Sequence, residues 1–116
     1  MKGYDFFEES MLLLGYTDSE GKLQDTTGLK SRAVAVINRI LCDLGINLSI
    51  RRLSDEIEVT QKQKDAVIYG VAMLLAFSDG DGGKNKLFAD IYNSKRAAVK
   101  GGNDKIRDTL PVGYGV

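Results

Sequence analysis

The sequence predicts an all-α fold: a small bundle of about four helices, with an irregular or short β arm over residues 46–59 and an extended C-terminal tail. Three observations predict it. Apolar residues recur at steps of three and four along four segments, capping pairs precede helical segments, and glycines follow them. The length of 116 residues suits one helical domain over residues 1–109, followed by a tail over residues 110–116.

The first helix is predicted to end at about Leu14, and Asp5 and Glu8 have the spacing of a capping box near its start. Gly15 can adopt the left-handed conformation that ends a helix. The polar residues 16–25 are typical of a loop. The apolar side chains of this helix share one face: Phe7, Met11 and Leu14.

The second helix has the most regular apolar pattern, and Gly45 is placed to end it. Cys42, the only cysteine, lies within this pattern, so we expect a buried core thiol. Residues 46–59 then change to short alternation, which leaves a strand and an irregular arm equally open. The predicted core positions of the helix are Leu29, Ala33, Val36, Ile37, Ile40, Leu41 and Leu44.

The third helix is apolar nearly all round. Thr60 and Gln63 have capping-box spacing at its start, and it is predicted to end near Ser78. Such a helix must be covered on several sides, so it is either the centre of the bundle or partly covered by another subunit. Its apolar run, residues 66–77, is too short to span a bilayer.

The fourth helix is predicted to start around Lys84 and to stop at Gly101-Gly102. A short turn-like segment and the tail, with the only proline at Pro111, would follow. The residues predicted to face the core are Leu87, Phe88, Ile91, Tyr92, Ala98 and Val99.

Charge is unevenly distributed along a chain whose 16 basic and 16 acidic residues balance. Residues 1–60 carry 7 basic and 10 acidic side chains, and residues 61–116 carry 9 and 6. Residues 84–107 contain seven basic side chains and two acidic ones. Such a patch, with Tyr92 as a stacking surface, would suit nucleic-acid phosphates, although an ordinary solvated helix face explains the same charges.

The chain has few of the groups that most catalytic mechanisms use. It has no histidine, the commonest general base and metal ligand, so Cys42 also lacks the usual activating partner. The Asp79-Gly80-Asp81 run begins like a calcium loop, but Lys84 occupies the position that needs glycine, which favours an inter-helix turn. The acidic residues Asp55, Glu56 and Glu58 are interpreted as a solvated loop. We expect no enzyme, no metal and no cofactor.

The combination of several segments indicates a resemblance to a known family. These segments are DFFEESMLLLGY, RAVAVINRILCDL, and the pairing of AVIYGVAMLLAFSDGDGG with KLFADIYNSKRAAV. In this combination the chain resembles the head-tail connector, or head-completion adaptor, proteins of tailed bacteriophages. The likeness extends from about Phe6 to Leu110. It comprises a helix rich in Ala and Leu, a polar turn containing Asp, and a following helix with Phe88 and Tyr92-Asn93.

The resemblance implies a structural virion protein that forms a homo-oligomeric ring beneath the portal protein and joins it to tail or stopper proteins. Its place would be the head-tail junction of the virion, after synthesis in the bacterial host cytoplasm without a secretion signal or membrane contact. The genome would pass through the ring. The alternative is a small helical nucleic-acid-binding regulator that uses residues 84–107.

Two sets of residues follow from the connector hypothesis. The residues expected to bind partners are Arg51, Arg52, Leu110, Pro111, Val112 and Tyr114. The residues expected to face DNA are Lys95, Arg96, Lys100, Lys105 and Arg107. We also expect that no other part of the same chain covers the arm or the tail, and that both segments bind neighbouring rings.

Overall fold

The computed structural model describes residues 1–25 and 28–108, and of residues 102–108 it describes the helical backbone alone. The predicted tail, residues 110–116, and the domain boundary at residue 109 lie outside the described residues. The architecture confirms the predicted all-α bundle. Its elements are α1 over Gly3–Leu14, a 3₁₀ helix over Leu29–Arg32, α2 over Ala33–Asp43, α3 over Gln61–Ser78 and α4 over Gly82–Asp108.

Local capping groups fix several helix ends where the sequence predicts them. At the start of α3, the Gln63 N–H donates to Thr60 Oγ1 at 3.2 Å, and the Thr60 N–H donates to Gln63 Oε1 at 2.9 Å. Gly15 follows α1 with a φ of 76°, and Gly45 ends the turn after α2 with a φ of 74°. Both glycines adopt the left-handed conformation that side chains disfavour.

The start of α1 differs from the predicted one. The helix begins at Gly3, so Asp5 lies inside its first turn and its carboxylate accepts the Lys2 N–H at 2.8 Å. The predicted pairing of Asp5 with Glu8 is therefore wrong. Asp5 still accepts a hydrogen bond from a backbone N–H at the helix start, but the donor is Lys2, the residue just before the helix.

The central element of the bundle is α3, one of the two predicted alternatives, and α1, α2 and α4 all pack against it. A Cβ atom on Gly70 would lie 2.8 Å from Ile40 Cγ2 of α2 and 2.8 Å from Tyr92 Cε1 of α4. Elsewhere on α3, the buried Ser10 hydroxyl of α1 lies 2.9 Å from the Ile68 carbonyl oxygen. Neither α3 nor any other described helix is long and apolar enough to cross a membrane.

The arm, residues 46–59, is irregular and packs against the bundle. An antiparallel bridge joins Glu56 to Lys2, and Asn38 of α2 makes two hydrogen bonds of 2.8 Å with the backbone of Ile50. The expectation that the arm lacks covering within the chain is wrong, because three of its side chains enter the core. These are Ile50, Leu53 and Ile57.

Helix α4 is longer than predicted. It continues through Gly101-Gly102 to Asp108, so the predicted stop and the turn-like segment after it are wrong. Glycine inside a helix costs about 1 kcal/mol relative to alanine, which weakens a helix without ending it.

Only part of the predicted core face of α4 is buried. Phe88 and Tyr92 are buried, whereas Ile91 and Val99 are half-buried. Leu87 is 56 % exposed and Ala98 is exposed, which corrects the prediction for these two residues. The apolar face predicted for α4 is therefore wider than the part of α4 that α3 and its neighbours cover.

Candidate docking surfaces

An open groove runs between α1 and the first half of α3, and we name it the α1–α3 groove. Its apolar part includes Leu12, which is 49 % exposed, and the half-buried Ile68. Lys64 contributes a basic side chain. Four acidic residues also line the groove: Asp5, Glu8, Glu9 and Asp65.

The carboxylates of the α1–α3 groove are largely without cationic partners. Glu8 and Glu9 are exposed, and among the described residues neither forms an ion pair. Asp5 accepts a backbone N–H, and Asp65 Oδ1 lies 3.4 Å from Gln61 Nε2. The groove therefore combines apolar surface with an excess of negative charge.

Helix α4 runs antiparallel to α3 and presents basic residues at the level of this groove. Asn85 Nδ2 of α4 donates to the Met73 carbonyl at 2.9 Å, and Gly70 lies against Tyr92, so residue numbers fall along α3 as they rise along α4. Both helices rise by about 1.5 Å per residue, so residues 61–68 of α3 lie beside about residues 92–100 of α4. The helix end after Lys100 extends about 12 Å beyond the start of α3.

We name residues 92–101 the basic α4 stretch, because they contain Lys95, Arg96 and Lys100 and no acidic residue. The Lys95 ammonium lies 5.0 Å from the centroid of the Tyr69 ring, and Arg96 Nε donates to Asp43 Oδ2 at 2.9 Å. Two of the residues expected to face DNA thus have partners within the chain. A third, Lys100, is half-buried, and the side chains of the remaining two, Lys105 and Arg107, lie outside the described residues.

Asp43 links the end of α2 to the basic α4 stretch. The Tyr92 hydroxyl donates to Asp43 Oδ2 at 2.5 Å, and this bond, with Arg96 nearby, lowers the pKa of Asp43 despite partial desolvation. Burial and the Asp43 carboxylate together raise the pKa of Tyr92. The network fixes the orientation of α4 on the bundle, so it has a structural role.

The turn between α3 and α4 is closely tied to the rest of the bundle. Asp81 Oδ1 accepts the Lys84 N–H at 3.1 Å and so caps α4, while Lys84 Nζ donates to the Leu14 carbonyl at 2.7 Å. Burial, with the nearby Asp79 and Asp81 carboxylates, raises the pKa of Tyr16 to about 12. These contacts agree with the predicted inter-helix turn. Among the side chains that the structure describes, those of residues 1–25 and 28–101, no group of three potential metal ligands occurs.

Two large apolar side chains remain in solvent at this end of the bundle. Phe77, in the last turn of α3, is 71 % exposed, and Leu87, in the second turn of α4, is 56 % exposed. We name them the turn-end pair. The exposure of Phe77 could not be predicted from the sequence, because α3 is apolar nearly all round and its pattern does not distinguish covered positions from open ones.

The predicted partner-binding arginines lie on a bend of the arm. The Asp55 carboxylate accepts the backbone N–H groups of Arg51 and Arg52 at 2.8 and 3.1 Å, which lowers the pKa of Asp55. Both arginine side chains are exposed. The other predicted partner-binding residues lie outside the described residues: Leu110, Pro111, Val112 and Tyr114.

Cys42 contradicts the predicted buried thiol because its side chain is exposed. It lies on the solvent side of α2 between the buried Leu41 and the exposed Asp43, beside a shallow pocket that also includes Leu48. Position 42 therefore lies off the buried face of α2, although Leu44 beyond it is buried.

Comparison with protein-family models, with curated proteins and with solved structures finds no match for this chain.

Proposed function

We propose that this protein is a structural assembly protein of the head-tail connector type, which joins a portal ring to the tail of a bacteriophage by forming a ring around the DNA passage. Its mechanism is binding, and no covalent bond is made or broken. The observation that carries the proposal is the turn-end pair: Phe77 and Leu87 leave 71 % and 56 % of their surfaces in solvent. Large apolar side chains left exposed at one end of a molecule are candidates for a protein interface.

The gain from covering the turn-end pair is large enough to decide an assembly step. Full burial of Leu or Phe is worth about 1.5 to 3 kcal/mol, so covering the exposed fractions contributes about 2 to 4 kcal/mol. The lower limit corresponds to about 30-fold in affinity, because about 1.4 kcal/mol is a factor of ten. The proposed partner at this end is the portal protein or a tail component.

The tail, residues 110–116, is the second proposed contact. If it orders only on docking, it loses about 1 to 2 kcal/mol of backbone entropy per fixed residue, which disfavours premature association. Because the described bundle ends before this segment, deleting residues 110–116 should leave the fold intact and abolish connector assembly.

The decisive experiment measures binding of the full chain to the portal protein of the same virus. We expect the double variant Phe77→Ser with Leu87→Ser to bind at least about 30-fold more weakly. Tyr4→Ser is the matched control, because Tyr4 is 39 % exposed and lies at the start of α1, whereas the turn meets the other end of α1 through Lys84 and Leu14. Exposed substitutions change stability by about 0.5 kcal/mol or less, so the circular dichroism of all variants should match.

Equal portal binding by the wild type and the double variant would overturn the proposal. So would completion of normal particles by a chain that lacks residues 110–116. Titration with duplex DNA at two salt concentrations tests the regulator hypothesis: binding that weakens steeply with salt would support that function instead.

A further inference from the structure

We propose that the α1–α3 groove is an interface between copies of this chain, and that its occupant is the basic α4 stretch of a second copy. The inference rests on the proposed assembly function and specifies the contact that would close the ring. Its first support is the groove itself. Leu12 is 49 % exposed there, beside the half-buried Ile68, and α1 and α3 leave this apolar surface uncovered.

The second support is charge complementarity. Among the residues that line the groove, four are acidic and Lys64 is basic, and the described residues place no ion pair on Glu8 or Glu9. The basic α4 stretch contains three basic residues and no acidic one. Asp43 pairs with Arg96 at 2.9 Å and also interacts electrostatically with Lys100, and this single carboxylate leaves the stretch with an excess of positive charge. Opposite potentials of this kind set the register and orientation of an interface.

The third support is the placement of the two surfaces on one molecule. Both lie at the level of residues 61–68 of α3: the lining residues place the groove there, and the Met73–Asn85 and Gly70–Tyr92 contacts place the basic α4 stretch there. Helices α1 and α4 each pack on α3, and extensive packing between α1 and α4 is absent from the described residues. Two different surfaces at the same height on two sides of a molecule allow a head-to-tail contact, which generates a ring when its rotation closes.

The alternative occupants fit less well. Duplex DNA is repelled by the carboxylates of the groove. The tail, residues 110–116, has no charged side chain to match Glu8 and Glu9. A second copy supplies both apolar and basic side chains from one helix, and its concentration in an assembling ring is high.

The test uses charge reversal in the full-length protein, with self-association measured by sedimentation velocity at low salt and high protein concentration. Glu9→Lys changes the groove, and Lys100→Glu changes the basic α4 stretch. Glu20→Lys, in the loop after α1, and Lys86→Glu, near the other end of α4, are the matched controls with the same charge changes. Circular dichroism verifies that each variant is folded.

We expect each of the first two variants to self-associate about tenfold more weakly than the wild type, because one favourable charge contact becomes repulsive in every interface. The controls should associate like the wild type. An equal mixture of Glu9→Lys and Lys100→Glu should recover association, since the introduced lysine then meets the introduced glutamate, and the two unchanged surfaces meet each other. This recovery identifies a contact between two different surfaces.

A wild-type protein that stays monomeric under these conditions would overturn the inference, and so would single variants that associate like the wild type or a mixture that does not recover. These results leave the turn-end pair and its portal binding untouched. Loss of the groove contact with retained portal binding, or the reverse, therefore separates failure of the inference from failure of the proposed function.

Discussion

Replacing Gly70 by alanine tests the packing that positions every surface described above. Gly70 lies in the middle of α3, where Ile40 of α2 and Tyr92 of α4 both pack against it. An added Cβ would lie 2.8 Å from Ile40 Cγ2, 2.8 Å from Tyr92 Cε1 and 2.9 Å from Ile40 Cδ1. The Tyr92 ring cannot move aside freely, because its hydroxyl is bound to Asp43 at 2.5 Å. Either α2 or α4 must therefore shift.

Two opposing effects set the magnitude. Alanine is favoured over glycine in a helix by about 1 kcal/mol. Inserting a methyl group into a packed core costs about 1 to 3 kcal/mol, and contact with two neighbours places Gly70 at the upper end of this range. We expect Gly70→Ala to lower the free energy of unfolding by about 1 to 2 kcal/mol.

Gly83→Ala is the matched control in the first turn of α4. The nearest atom to its added Cβ is Asp81 Oδ1 at 3.7 Å, an ordinary contact. At such a site the substitution restricts the unfolded chain and stabilises by about 0.4 to 1 kcal/mol. The two variants should therefore change stability in opposite directions, and urea denaturation with an unchanged m-value measures both. Equal stabilisation by both substitutions would refute the packing of α2 and α4 on α3 at Gly70.

Two further predictions concern single side chains. The folded-state pKa of Asp43 is lowered from 3.8, so the carboxylate stabilises the fold above that value and the contribution is lost as pH falls through the folded pKa. Between neutral pH and about pH 3, Asp43→Asn should lose less stability than the wild type in urea denaturation, and equal losses would contradict the network. Cys42 should react with a maleimide in the native protein within about tenfold of its rate in urea, whereas strong protection would contradict its exposure.

The helices could be predicted from the sequence because their signals are local. Thr60 and Gln63 form a capping box across one turn, and Gly15 ends α1 through its own φ of 76°. The end of α4 was not predictable in this way. Gly101 and Gly102 have low helix propensity, but two such residues do not end a helix when the residues on both sides of them are helical.

Features that depend on contacts between distant residues could not be predicted. Asn38 binds the backbone of Ile50 across 12 residues, and nothing local in the alternating arm indicates this partner. The 3.6-residue period places Leu87 and Cys42 near an apolar face, but it does not show how much of that face a neighbour covers. The same limit applies to the α1–α3 groove, because the sequence alone does not distinguish its carboxylates from those of an ordinary solvated helix face.

The predicted partner-binding residues fall into two groups, the arginines on the folded arm and the residues of the tail. Arg51 and Arg52 are presented on a bend whose backbone Asp55 already binds, and the core contacts of the arm are complete in the single chain. A partner that binds them therefore imposes no further ordering cost on the backbone. A docking tail would lose about 1 to 2 kcal/mol per residue fixed. In the proposed connector, the arm would thus suit initial recognition, and the tail would suit a later step supported by contacts that the ring already provides.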